Sequence, residues 1–130
     1  MPPTDVPSLG PIRVFAADVP DEFYQELAEA IKHQPDLQLL GRAQDRLELL
    51  LAVGQGVDVL LIGAAQVHPP PGICSHLLSE FPDIKILVLA FAGDRTMLYW
   101  RGLRRRQLAR LSTLGLQAEI RSAYAIDPAQ

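Results

Sequence analysis

At 130 residues, 48% of them hydrophobic, the chain has the size for one α/β domain with its own core. Its net charge of −3 is too small to name a partner, and no apolar run approaches the roughly 18 residues that a membrane helix requires. The single cysteine, Cys74, excludes an intrachain disulfide, and no basic segment leads into an apolar run at the N-terminus, so the setting expected is reducing and cytoplasmic.

Taken in order, residues 1–11 carry Pro2, Pro3, Pro7 and Pro11 without a hydrophobic period and read as a disordered lead-in to a domain spanning 12–130. Ile12 to Ala17 is short, apolar and suited to a first strand. Asp18-Val19-Pro20-Asp21-Glu22 opens a helix, since proline is tolerated in the first turn and acids there suit the dipole. Phe23, Leu27, Ala30 and Ile31 then share one helical face, and Pro35-Asp36 stops it. Leu37 to Ala43 is a second strand. Asp45 with Glu48 three residues on is a capping-box start for a helix carrying Leu47, Leu50 and Leu51. Gly54 and Gly56 end that helix.

Val57-Asp58-Val59-Leu60-Leu61-Ile62-Gly63 anchors the domain. Its apolar run has no alternation, as expected of a central parallel strand covered on both faces. Chemistry in such sheets gathers at the carboxyl ends of the strands, and this strand ends on Gly63. A loop containing Pro69-Pro70-Pro71 leads to a short helix, Ile73 to Phe81, and Ile84 to Leu89 makes a fourth strand. Right-handed βαβ crossovers then give a doubly wound parallel sheet, flavodoxin-like, with strand order 2-1-3-4-5. Asp94 to Leu114 lacks proline and reads as one elongated fourth helix of about six turns. Met97, Trp100, Leu103, Leu108, Leu111 and Leu114 form its apolar stripe, and Gly115 stops it. Gln117 to Ile126 is left as the fifth strand, with no helix after it to cover the sheet.

The segments IRVFAAD, DLQLLGRA, VDVLLIG and FPDIKILVLA, in register over residues 12–93, resemble the receiver domains of bacterial response regulators, most closely those preceding helix-turn-helix DNA-binding domains. Residues 94–130 diverge. The resemblance implies a magnesium-dependent transfer of a phosphoryl group onto an aspartate at the end of the third strand, and that position is Gly63. Of the acid pair after the first strand, Asp18 survives and Val19 replaces its neighbour. The hydroxyl residue after the fourth strand is Ala90, and residues 115–130 contain no lysine. Glycine supplies no nucleophile, one aspartate is a poor magnesium site, and nothing neutralises the transferred charge. Asp58 lies five positions earlier, roughly 16 Å along a strand, at the wrong end of the sheet. The expectation is a degenerate acceptor pocket of Asp18, Val19, Gly63 and Ala90, without catalysis, cofactor or metal.

Other constellations carry less. Asp18 reads either as a remnant metal ligand or as a cap for the following helix. His68, Cys74 and His76 match no familiar zinc spacing. His33 closes a helix on the surface. Gly54-Gln55-Gly56 ends a helix instead of opening one, unlike a phosphate loop. Ser75, His76 and Asp83 lack a nucleophile elbow.

The arginine run is informative. Residues 1–93 hold 12 acids and 5 bases, net −7, whereas residues 94–130 hold 3 acids and 7 bases, net +4. Tyr99, Trp100, Arg101, Arg104, Arg105, Arg106 and Arg110 are residue types favoured at protein interfaces. The expected function is a pseudo-receiver serving as a phosphorylation-independent interaction and dimerisation module in signal transduction or transcriptional regulation. Its expected partner is a protein, foremost a second copy, with an output domain possible beyond the chain. The alternatives are a small-molecule sensor reusing the vacated pocket, and nucleic-acid binding through the arginine helix.

Overall fold

Four apolar runs joined by helices become four parallel strands in a computed structural model that describes residues 10–101, 103–108 and 112–126. In chain order they are β1 (Ile12–Ala17), α1 (Asp21–Lys32), β2 (Leu37–Ala43), α2 (Arg46–Gly56), β3 (Val59–Gly63), α3 (Gly72–Glu80) and β4 (Lys85–Ala90). The expected lead-in falls almost entirely outside the described residues. Local chemistry sets the boundaries. The Asp45 carboxylate accepts from the Glu48 amide at 2.9 Å, and Glu48 reaches back to accept from the Gln44 amide at 2.5 Å, a capping-box-like pair whose return bond falls one residue before the N-cap. α1 follows Pro20 with acids in its first turn and buries Phe23, Leu27 and Ile31. No side chain caps it, so Asp18 does not serve as its cap.

The segment after β4 departs from expectation. After a single turn of 3-10 helix, Phe91–Gly93, the chain forms an antiparallel hairpin of β5 (Arg95–Trp100) and β6 (Arg104–Gln107). The elongated fourth helix is therefore absent among the described residues. Thr113–Ala125 is helix α4, which takes in most of Gln117–Ile126, where a fifth strand was expected, and is opened by Ser112, whose hydroxyl accepts from the Gly115 amide at 3.0 Å. Gly115 thus lies in the first turn of a helix and terminates none.

The six strands form one sheet in the order β2-β1-β3-β4-β5-β6, parallel through β4 and antiparallel from β4 to β6. The order differs from the one expected by its sixth strand and by the reversed fifth. The core divides by face. Leu60, Ile62, Ile86, Val88, Met97 and Tyr99 meet α2 and α3 through Leu49, Val53, Cys74 and Leu77. Val14, Val59, Leu61, Leu87, Leu89 and Leu98 meet α1 and α4 through Leu27, Ile31, Leu116, Ile120 and Ala123. The sheet face expected to lie bare is covered by α4. That helix is tied down by Arg121, which donates to both oxygens of Asp36 at 2.6 and 3.0 Å and to Gln34 at 2.7 Å. Among the described residues no helix is long and apolar enough to cross a membrane.

Candidate functional site

The carboxyl ends of β1, β3 and β4 bring Asp18, Gly63 and Ala90 to one side of the molecule, as the sequence suggests, but they do not enclose a vacancy. Asp18 has a φ of 57°, in the left-handed region that disfavours residues with a Cβ. Its carbonyl lies over Gly63. A Cβ at position 63 would run into that carbonyl oxygen, with the carbonyl carbon 3.0 Å and the Phe91 ring 3.5 Å away. Phe91 is held in turn by an edge contact with Phe23, ring centres 4.8 Å apart. Glycine is required here by backbone contact. Val19 is turned into the α1/α4 core and Ala90 into the α2/α3 core. Of the four pocket residues only Asp18 is exposed.

Space remains on either side of this filled corner. A crevice of about 140 Å³ lies between Ala17, Asp18, Ala43, Asp45, Arg46 and Ile73. A shallower depression of about 380 Å³ lies between the loop 65–68 and the β4–β5 turn, with Ala90 and Arg95 on its wall. Beneath that loop, Tyr99 donates to the Val67 carbonyl at 2.5 Å and lies 3.0 Å from His68 Nδ1. Burial, opposed by the nearby Arg105 charge, raises the Tyr99 pKa.

Asp58 stands at the opposite end of the sheet. It accepts from the Arg13 amide at 2.8 Å and from the guanidinium at 3.2 and 3.1 Å, and this pairing raises the Arg13 pKa. Cys74 is buried, which pushes its thiol up to about 12, whereas His68 and His76 are exposed. No group of three or more His, Cys, Asp or Glu side chains among the described residues is placed to hold a metal ion.

The interface candidates separate by environment. Tyr99 is 1% exposed and belongs to the core. Trp100 is half-buried against the α1/α4 core. Neither ring is a surface anchor. Arg101 lies in the exposed turn, and Arg104, Arg105 and Arg106 are exposed along β6, the last strand of the sheet. Arg110 lies outside the described residues. The arginines therefore sit on a sheet edge, where a helix was expected. The β signal was present in Thr96-Met97-Leu98-Tyr99-Trp100, rich in strand-forming residues and followed by Gly102.

No protein-family model, curated protein or solved structure matches the chain.

Proposed function

We propose that this chain is a flavodoxin-like, receiver-derived module that does no chemistry and works by binding another protein, independently of phosphorylation, in signal transduction or transcriptional regulation. The observation that carries the reading is the filled corner at Gly63. Phosphoryl transfer needs a nucleophilic oxygen, hard ligands for magnesium and a counter-charge for the transferred group. At the end of β3 a backbone carbonyl and a phenyl ring occupy that space. The working surface is the arginine edge of the hairpin.

Self-association, expected from the sequence, would set the arginines of two copies against each other if it used this edge. An acidic partner meets no such repulsion. Incubation with acetyl phosphate and magnesium, followed by intact-mass measurement, tests the reading: the mass is expected to stay unchanged, and an acid-stable, hydroxylamine-labile phosphoryl adduct overturns it.

A further inference from the structure

We propose that Arg104–Gln107 is a strand-addition site, on which an extended acidic segment of a partner protein pairs as a seventh strand. The proposal rests on the interaction-module reading and specifies its mode of recognition.

The hydrogen-bond phase of the hairpin supports it. The Leu108 amide donates to the Thr96 carbonyl at 3.0 Å, and Thr96 and Leu108 continue the register in which Met97 faces Gln107 and Leu98 faces Arg106. Bonded and non-bonded pairs alternate along an antiparallel ladder. The backbone groups of Arg106 therefore point to β5, the Arg104 amide donates to the Arg101 carbonyl of the turn at 3.4 Å, and the backbone groups of Arg105 and Gln107 point away from β5. β6 ends the sheet order, and all four of its residues are exposed. The outer edge thus offers two amides and two carbonyls to an incoming strand.

Charge selects the occupant. Side chains alternate along a strand, so Arg105 shares the Tyr99 face and Arg104 and Arg106 share the opposite face with Leu98 and Trp100. An added strand meets guanidinium groups on both faces, and glutamates or aspartates opposite them are favourable cross-strand pairs. A second copy's β6 would instead place arginine against arginine, the arrangement by which edge strands resist pairing with themselves. Single-stranded nucleic acid is a poorer fit, because the two aromatic rings of the hairpin are buried or half-buried and unavailable for base stacking.

The test is fluorescence anisotropy with the full chain at low salt and a labelled peptide of paired glutamates interspersed with Thr and Val, so that carboxylates fall on both faces of the added strand. Two variants separate backbone from charge. Arg105→Gln removes the charge and keeps the outward amide. Arg105→Pro removes the charge together with the amide, but no bond to β5, and proline is tolerated on the open side of an edge strand. The unmodified chain is expected to bind, Arg105→Gln to bind more weakly, and Arg105→Pro to lose roughly a further three- to tenfold, as one hydrogen bond predicts. The same peptide with every amide N-methylated keeps its carboxylates and is expected not to bind, an arm that holds even if Arg105→Pro fails to fold. Strand addition is overturned if the methylated peptide binds equally, if the two variants bind alike while folded, if no peptide binds, or if an oligothymidylate binds more tightly than the peptide. A phosphoryl adduct with acetyl phosphate would remove the underlying module reading whatever the peptide does. No adduct combined with no pairing removes strand addition alone.

Discussion

Gly63 and Thr96 illustrate how single positions set the limits of this molecule. At Gly63 even a methyl group must displace the Asp18 backbone, because the obstacle is a carbonyl and cannot swing aside as a flexible side chain would. Gly63→Ala is expected to destabilise by about 1–3 kcal/mol in urea denaturation. Gly63→Asp is expected to be worse, and to remain without a phosphoryl adduct, since its carboxylate enters a buried corner lined by the Asp18 carbonyl and the Phe91 ring. Thr96 is the converse case. Its hydroxyl is buried without a hydrogen-bond partner, so Thr96→Val keeps the shape and removes an unsatisfied group. Denaturation is expected to show a gain of about 1 kcal/mol. A loss of that size would reveal a partner for the hydroxyl. Tyr99 lies between these: Tyr99→Phe leaves the Val67 carbonyl and His68 without their phenol, and the expected loss is about 1 kcal/mol.

At the scale of elements, α4 decides whether the sheet is closed. Leu116, Ile120 and Ala123 supply its apolar contact, and Arg121 anchors it to the turn after α1 through Asp36. The Arg121 hydrogen bond holds the Asp36 carboxyl below its ordinary value of 3.8. A depressed carboxylate contributes stability that is fully present above its unfolded pKa and is lost as pH falls through the lower, folded one. The melting temperatures of the unmodified chain and Arg121→Met should therefore differ at neutral pH and converge below the ordinary aspartate range. A gap that persists in acid would show that Arg121 acts through packing. The first four strands and three helices were legible because each carries one consistent signal: an uninterrupted apolar run, a capping box, or a helical face ended by proline or glycine. The region after Asp94 was not, because two periods compete there. Leu103, Leu108, Leu111 and Leu114 suit a helical stripe, yet the strand-formers of Thr96 to Trp100 and the turn residues Arg101 and Leu103 prevail once β4 offers a bare edge to pair with. Gln117–Ile126 suits a strand only where a receiver-like element order is taken to run to its end. The spacing of Leu116, Ile120 and Ala123 at i, i+4 and i+7, behind Ser112, is that of a capped helix. The site was legible only in part: the glycine at the end of β3 could be read from the chain, whereas the Asp18 carbonyl that packs over it could not, since no side chain encodes it.

As a whole, the molecule presents two unlike rims. One is the arginine strand β6. The other is the β2/α2 margin, where Leu40, Leu47 and Leu51 are 41%, 65% and 57% exposed, with Leu47 and Leu51 one helical turn apart. Should two copies associate, this margin lets them meet without like charges facing. Light scattering at rising concentration is the check: Leu47→Glu combined with Leu51→Glu is expected to abolish self-association, and Arg105→Gln to leave it intact. The opposite pattern would return the dimer contact to the hairpin. Five strand spacings of roughly 4.8 Å, or about 24 Å, separate the outermost strands. Occupancy of one margin therefore need not obstruct the other, so under the proposed reading the domain would tether two molecules at once without having to switch between states.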